Sequence, residues 1–393
     1  MKKSYKKYNR EVIEYTEIDG NIKPYRILYS TKLREANIKL PNTKKLLYIG
    51  HAYHNKTKSS QFIQELLKTK YDITKYDFDP YNDSFEIFKQ LDGKRFDTVV
   101  LWQIMPSIKQ LKKYLSFDKI VFFPMYDGVG NMDGGFWSEY ACCNIINFSK
   151  TLHNECLKRG FSSHYIQYFP KPISTSNMGD EKSVFLWQRI NLINPNTVNS
   201  VIGAENIDHL CIHNAPDPKH AFVEPPEEFV QKTEITEWFN TKEDLLNHIQ
   251  KSAIYFAPRL KEGIGISFLE AMAMGRCVIA PNNPTMNEYI ENGKTGYLYD
   301  IEKPVKIELQ NIREIQKNTQ EYIEKGYNNW EKNKFEILKW IDKGVNPNKL
   351  KLLSYYGYKE FLKSIFSLSN EYNTNGKHKI LRMMNLKISY KSK

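Results

Sequence analysis

Residues 254–300 read IYFAPRLKEGIGISFLEAMAMGRCVIAPNNPTMNEYIENGKTGYLYD, and this stretch decides the fold. An apolar run is followed by a glycine-containing loop, a helical pattern and a second apolar run, which is typical of a βαβ unit. We predict strands at Ile254–Ala257 and Cys277–Ala280, joined by a helix at Ile266–Met274 that ends at Gly275. Parallel strands connected by helices indicate an open α/β sheet.

The same alternation extends in both directions along the chain. Further strands are predicted at Leu46–Ile49, Thr98–Leu101, Ile120–Phe123, Asn144–Phe148, Val184–Trp187 and His209–Ile212, with helices at Ser59–Lys68, Ser107–Leu115 and Thr241–Lys251 and helical sequence from Asp300 to about Lys343. A chain of 393 residues exceeds what one hydrophobic core usually organises. We therefore predict an α/β protein with two Rossmann-like, doubly wound domains facing across a cleft, followed by C-terminal helices.

Pro, Gly and small polar residues interrupt the pattern at FPKPISTSNMGDEKS, residues 169–183, which indicates a linker. The predicted bounds are 1–170 for the N-terminal domain, 171–183 for the linker and 184–335 for the second domain. Residues 336–393 are predicted to form C-terminal helices and a basic tail that pack back toward the first domain.

The net charge of +12 is concentrated at the two ends of the chain. Residues 1–45 hold 12 Lys/Arg against 5 Asp/Glu, and residues 349–393 hold 10 against 2, so the middle is slightly acidic. A nucleic-acid partner is therefore disfavoured. Two interpretations of the basic ends stay open: contact with an anionic membrane surface, aided by Tyr355, Tyr356, Phe361, Leu362 and Phe366, or ordinary solvated lysine-rich termini.

The location of the protein is predicted from three absences in the sequence. No apolar run approaches the roughly 20 residues of a membrane-spanning helix, and no signal peptide follows the basic start. The five cysteines, Cys142, Cys143, Cys156, Cys211 and Cys277, are odd in number and show no C-x-x-C spacing. We expect a cytoplasmic protein, either free or peripheral on the inner face of the membrane.

The loop before the helix at 266–274 is a candidate anion site. Gly263 and Gly265 flank Ile264, and the backbone N–H groups of Gly265, Ile266 and Ser267 open the helix. Such N–H groups at a helix start suit a pyrophosphate. Glu262 precedes these donors and Glu270 lies one turn into the helix, so two carboxylates can address two parts of one ligand.

Glu262 and Glu270, the sequence AMAMG, a hydrophobic strand and Asn287-Glu288 together resemble the donor-site signature of retaining family-four glycosyltransferases, of the "glycosyl transferases group 1" type with a GT-B fold. The resemblance covers residues 184–300. It implies a donor-binding second domain and an acceptor-side first domain. It also implies that a sugar passes from a nucleotide-sugar, such as a UDP- or GDP-sugar, to a hydroxyl of a glycan or lipid-linked acceptor, with retained configuration. No metal or other cofactor is implied, and the expected pathway is surface polysaccharide or glycoconjugate synthesis.

By the same resemblance, Glu262 is a catalytic residue that holds the donor sugar, Glu270 binds the ribose, and Arg189 reaches the diphosphate. The donor-binding set is Arg189, Lys261, Gly263, Ile264, Gly265, Ile266 and Glu270. The family usually carries a lysine a few residues after the arginine, and residues 190–196 contain none. Lys261 and Arg259 are the two candidates for the missing charge.

The N-terminal half departs further from the family. Gly50 and His51 follow its first strand and are candidates for the first domain's cleft. Gln103 stands where relatives often carry a histidine. Asp127, before Gly128, is interpreted either as a catalytic group that accepts the acceptor's proton or as a turn-forming residue.

Other constellations are weaker. Asp77 and Asp79 form a D-x-D in an acidic stretch read as a turn, and such a pair suits a divalent metal in another glycosyltransferase architecture. The pairs His51/His54 and His209/His213 lack a neighbouring third zinc ligand and are interpreted as surface or core histidines. Two rival functions remain: a nucleic-acid glucosyltransferase of the same fold, and an inactive glycan-binding accessory subunit.

Overall fold

The computed structural model describes residues 11–18, 21–28, 43–79, 85–343, 366–373, 376–383 and 386–391. These residues fall into two compact units. The first contains the residues up to Asn147, Leu152–Ile166 and the segment from Asn333. The second contains Phe148–Thr151, Gln167–Lys332 and the strands from Phe366 onward.

The first unit is built on an eight-stranded sheet with the order β1-β2-β4-β3-β5-β6-β7-β8. Its strands are β1 (Glu11–Ile18), β2 (Asn21–Leu28), β3 (Lys45–His51), β4 (Asp72–Phe78), β5 (Lys94–Trp102), β6 (Leu115–Phe123), β7 (Asn144–Asn147) and β8 (Ser163–Tyr165). Strands β2 to β8 are parallel, and β1 pairs antiparallel with β2. Apolar runs such as LLYIG and IVFF are buried because helices cover both faces of a parallel sheet.

Short helices connect these strands. They are α1 (His54–Thr57), α2 (Gln61–Lys68), α3 (Ile108–Tyr114), α4 (Tyr126–Val129), α5 (Gly134–Glu139) and α6 (Lys150–Lys158), with a 3-10 helix at Phe85–Leu91. The strand order reverses between β3 and β5, and the carboxyl ends of strands at such a reversal are where open α/β sheets bind ligands.

A helix from the C-terminal region belongs to this first unit. Helix α12 (Glu336–Asp342) ends at Asp342, whose carboxylate accepts hydrogen bonds from Lys44 Nζ at 3.1 Å, Lys70 Nζ at 2.5 Å and the Tyr71 hydroxyl at 3.2 Å. Trp340 stacks on His164 with ring centroids 4.9 Å apart. These contacts fasten the end of the helix to the edge of the sheet.

The second unit contains a six-stranded parallel sheet with the order β11-β10-β9-β12-β13-β14. The strands are β9 (Asp180–Gln188), β10 (His209–Asn214), β11 (Thr233–Thr236), β12 (Ser252–Phe256), β13 (Cys277–Pro281) and β14 (Gly296–Tyr299). The helices are α7 (Pro195–Val201), α8 (Glu227–Val230), α9 (Lys242–Lys251), α10 (Ile266–Ala273) and α11 (Ile312–Asn333). If these six strands are numbered 1 to 6 along the chain, starting at β9, their order in the sheet is 3-2-1-4-5-6, which is the Rossmann order. The order reverses between β9 and β12.

The predicted α/β class with two Rossmann-like, doubly wound domains is confirmed, and each predicted strand overlaps an observed one. One prediction is wrong: Asp77 does not lie in a turn but on β4, a buried strand that pattern reading missed. Its charge is neutralised by Lys75, which lies 3.0 Å away on the same strand, so an alternating charged sequence is buried. The hairpin β1–β2 was also not predicted.

The basic ends of the chain are described only in part. Strands β15 (Phe366–Asn373), β16 (Gly376–Met383) and β17 (Leu386–Lys391) form an antiparallel sheet. The prediction of C-terminal helices and a basic tail over 336–393 is wrong for these strands and is met by a helix only at Glu336–Asp342 among the described residues. Tyr355, Tyr356, Phe361 and Leu362, named for membrane contact, lie outside the described residues. Within the described ranges, no helix is both long enough and apolar enough to cross a membrane.

Gly179 lies just before β9, and a substitution there tests how closely the chain packs against β12. Its φ is +71°, and a Cβ there would lie 2.4 Å from the backbone carbonyl carbon of Ser252. Left-handed backbone costs an L-residue roughly 1–2 kcal/mol, and overpacking adds about 1–3 kcal/mol. We expect Gly179→Ala to lower the free energy of unfolding by about 2–5 kcal/mol in urea titrations.

Gly293→Ala is the matched control for this prediction. Its φ is +76°, but a Cβ there meets nothing within 4 Å. Only the backbone cost of roughly 1–2 kcal/mol is expected. Equal losses for the two variants would contradict the close packing of Gly179 against β12.

Candidate functional site

The loop between β12 and α10 forms the centre of the candidate site. Gly265 begins the helix with a φ of +84°, and a Cβ on it would lie 1.8 Å from the Phe268 ring, so glycine is required. The Glu262 N–H donates to the Pro284 carbonyl at 3.1 Å, and the Thr285 hydroxyl donates to the Ile264 carbonyl at 3.3 Å. The loop is thus held by residues that follow β13, and it leads into the N–H groups at the start of α10.

Three of the charged residues named from the sequence come together around Tyr255, a buried tyrosine on β12. Burial raises the pKa of Tyr255, and the nearby carboxylates of Glu262 and Glu270 raise it further, while Arg189 lowers it. These three side chains therefore lie within electrostatic reach of one phenol. Arg189 and the loop that carries Glu262 follow the two strands between which the strand order reverses, and Glu270 lies on the helix that this loop enters.

Arg189 directly follows β9 and contacts an aspartate that the sequence analysis did not name. Its Nε and Nη2 donate to Asp217 Oδ1 at 3.0 and 2.8 Å. The other oxygen of Asp217 accepts a hydrogen bond from Arg259 Nη2. The guanidinium of Arg189 also lies 5.1 Å from the Trp187 ring centroid, a cation–π contact.

Glu270 is paired with a lysine from a neighbouring helix. Lys242 Nζ, in the first turn of α9, donates to Glu270 Oε1. Burial raises the pKa of Glu270 and Lys242 opposes that rise. The pair fixes the start of α9 next to α10.

Glu262 is the most buried carboxylate of the site, with 7% of its surface exposed. Gly263, Ile264 and Gly265 beside it are also buried, whereas Lys261 and Ile266 are half-buried. A carboxylate in such a position is suited to bind hydroxyl groups, because charge-assisted hydrogen bonds are about twice as strong as neutral ones.

Aromatic rings lie at the same edge of the sheet. The aromatic cluster consists of Trp187, His213, Trp238, Phe239 and His248, which end or follow strands β9, β10 and β11 or lie on α9. His213 stacks on Phe239 with centroids 4.7 Å apart, and Trp238 is 41% exposed. Burial and the neighbouring His248 lower the pKa of His213 to about 4.

The candidates in the first unit also lie at its strand reversal. Gly50 and His51 end β3, and His51 lies 5.7 Å from His54 between ring centroids. Burial, and then the charge of His51, lower the pKa of His54 to about 4, and the neighbouring Gln103 opposes this. Burial also lowers the pKa of His51, against the effect of Asp79.

Asp127 lies in the first turn of α4. Its Oδ1 accepts the N–H of the next residue, Gly128, at 3.0 Å, and the turn-forming interpretation stays a prediction. The interpretation as a group that accepts the acceptor's proton stays a prediction.

The D-x-D aspartate Asp77 binds protein groups. Lys75 lies 3.0 Å from Oδ1, and Asn55 donates to Oδ2 at 2.7 Å. Among the residues that the structure describes, no three His, Cys, Asp or Glu side chains are grouped so as to hold a metal ion.

Asp217, Lys242 and Tyr255 are the site residues that sequence reasoning missed. Asp217 lies 28 residues from Arg189 and Lys242 lies 28 residues from Glu270, so no local motif joins them. The one available signal was position, since Asp217 follows β10 as Arg189 follows β9.

Comparison with known proteins identifies the class. The chain resembles sucrose-phosphate synthase from Thermosynechococcus elongatus, with 13% identity, a TM-score of 0.56, and coverage of 75% of this chain and 98% of that one. It also resembles Anabaena HepE solved with UDP and glucose, with 10% identity, a TM-score of 0.50, and coverage of 75% and 99%. These likenesses show a GT-B fold of two Rossmann-like domains.

Residues 195–337 match the family model "Glycosyl transferases group 1". This segment contains Arg259, Glu262 and Glu270. This match and the GT-B fold together support a glycosyltransferase enzyme, and residues 195–337 are similar to the group 1 domain. No curated protein matches the sequence.

Buried neutral His213 makes stability depend on pH. The unfolded histidine binds a proton near its usual pKa of 6.5, whereas the folded one does so only near 4, so the free energy of unfolding falls as pH drops through this window. For His213 alone we expect a loss of about 2 kcal/mol between pH 7 and pH 5. Urea titrations of the wild type and His213→Phe at both pH values measure it: the variant should lose about 2 kcal/mol less. Equal pH dependence in the two proteins would contradict a neutral His213.

Proposed function

We propose that the protein transfers a sugar from a nucleoside-diphosphate sugar to a hydroxyl of a glycan or lipid-linked acceptor. The carrying observation is that Arg189, linked through Asp217 to Arg259, lies at the carboxyl end of β9 beside the loop of Glu262, and that this loop enters α10, which carries Glu270. At a reversal of strand order, an arginine and helix N–H groups suit the diphosphate of a nucleotide-sugar, and the two carboxylates suit its hydroxyl groups. The Anabaena structure of similar fold contains UDP and glucose, which supports this donor class.

In this proposal the ribose lies at Glu270. Its carboxylate accepts hydrogen bonds from both vicinal hydroxyls, and its partner Lys242 opposes the rise in pKa that burial causes. The donor sugar lies at Glu262, whose burial excludes competing water. The group 1 family match covers both glutamates.

The reaction breaks the bond between the anomeric carbon and the β-phosphate oxygen and forms a bond from that carbon to the acceptor oxygen. The departing diphosphate carries the electron pair and is stabilised by Arg189 and the α10 N–H groups, an electrostatic contribution. The acceptor proton passes to a base, for which Asp127 and the departing phosphate are the proposed candidates. We further propose family-four membership, retained configuration by a same-face route, and no metal requirement.

Polysaccharide or glycoconjugate synthesis is the proposed pathway, in the cytoplasm or on the inner face of the membrane. The basic ends of the chain support contact with anionic lipid. We expect sedimentation with phosphatidylglycerol vesicles, decreasing as salt rises, and none with phosphatidylcholine vesicles. Absence of binding to both at low salt would contradict membrane contact and leave the transferase proposal intact.

A donor screen tests the transferase proposal. Nucleotide release from UDP-, GDP- and ADP-sugars should be detected with at least one donor. Glu270→Ala should weaken binding of the released nucleoside diphosphate by about 1–3 kcal/mol, because a charged hydrogen-bond partner is lost. Glu262→Ala should suppress turnover and leave nucleotide affinity within about threefold.

Glu243→Ala is the matched control, because Glu243 is an exposed glutamate next to Lys242. It should leave binding and turnover unchanged. If both site variants keep full affinity and activity, the site assignment is wrong. If the wild type binds neither UDP nor GDP up to millimolar concentration, the accessory-subunit alternative is favoured.

A further inference from the structure

A bridge of three charged side chains crosses the strand reversal of the second sheet. Arg189 follows β9, Asp217 lies three residues beyond β10, and Arg259 lies three residues beyond β12. Three different strands therefore deliver these groups to one point at the ligand-binding edge. We call this set the Arg–Asp–Arg bridge.

Both oxygens of Asp217 are used by the bridge. Oδ1 accepts the two hydrogen bonds from Arg189, and Oδ2 accepts one from Arg259. The Asp217 N–H also donates to the Arg189 carbonyl at 2.9 Å, so the backbone holds the two residues together independently of the side chains. The two guanidinium groups are thereby held by the two different oxygens of one carboxylate.

The charge of the bridge is unbalanced in favour of an anion. Two arginines and one aspartate carry a net charge of +1, and the side chains of Arg189, Arg259 and Asp217 are only 16%, 25% and 17% exposed. Partly buried like charges repel each other, so a net positive charge on these three side chains favours the binding of an anion.

The bridge adjoins the rest of the site. The charges of Arg189, Glu262 and Glu270 all affect the pKa of Tyr255. Arg259 lies on the same loop as Glu262. The stretch 190–196 carries no basic side chain, and its Asn194 caps α7 with a capping box. Of the two candidates for the second cation, Arg259 shares a partner with Arg189.

We propose that Arg259 and Arg189 together bind the donor's diphosphate, and that Asp217 is a positioning residue that holds the two guanidinium groups side by side. This inference rests on the proposed function. An arginine fork matches phosphate oxygens, and two forks aligned by one carboxylate bind a diphosphate in preference to a monophosphate. Arg259 is thus a specificity-determining residue for the second phosphate.

Calorimetry with UDP, GDP and ADP, and then with UMP, GMP and AMP, tests the proposal. For the best-bound base, Arg259→Gln should lower diphosphate affinity about 10- to 100-fold and monophosphate affinity by less than about threefold. Arg259→Lys, which keeps the charge but not the fork, should fall between these values for the diphosphate. Lys219→Asn, which removes an exposed cation two residues from Asp217, should change neither affinity.

The role of Asp217 is tested by coupling. In an Asp217→Ala background, Arg259→Gln should lower the affinity for the diphosphate by less than about threefold, because Arg259 is no longer aligned there. Additive effects would overturn the positioning role. Thermal unfolding of each variant verifies that it is folded. If Arg259→Gln does not fold, the same comparison is made with Arg259→Lys.

The outcomes separate the two proposals. A wild type that binds none of the three nucleoside diphosphates contradicts the proposed function itself. The other case is a wild type that binds at least one nucleoside diphosphate. This inference alone is then overturned if Arg259→Gln leaves the diphosphate affinity unchanged, or if it lowers the affinities for diphosphate and monophosphate equally.

Discussion

The reversal of strand order between β9 and β12 is the constraint on which the site depends. Because neighbouring connections leave the sheet in opposite directions there, the carboxyl ends of these two strands are left uncovered. Gly265 turns the chain into α10 within this gap, in a conformation that excludes a side chain. The loop can then present Glu262 and Arg259 opposite Arg189.

Charge neutralisation inside the site follows from this arrangement. Asp217 balances part of the charge of Arg189 and Arg259, and Lys242 balances Glu270. Partly buried charges need such partners, because an unpaired charge removed from water is costly. A ligand that carries both hydroxyl groups and negative charge can contact the same side chains without leaving any of them unpaired.

Local patterns predicted the parts of the structure that are local in sequence. The glycines around Ile264 and the spacing of Glu262 and Glu270 are visible in one stretch, and so was the helix they enter. Asp217 and Lys242 were missed because their partners lie 28 residues away, and only the folded sheet brings them together. Strand β4 was missed because Lys75 and Asp77 look like exposed charges, whereas they neutralise each other when buried.

A crystal structure with the best-bound nucleoside diphosphate tests the central claim most directly. The account predicts ribose hydroxyls within hydrogen-bond distance of the Glu270 carboxylate and phosphate oxygens within hydrogen-bond distance of Arg189 and the α10 N–H groups. Nucleotide bound elsewhere on the chain, with Arg189 and Glu270 contacting only Asp217 and Lys242, would contradict it.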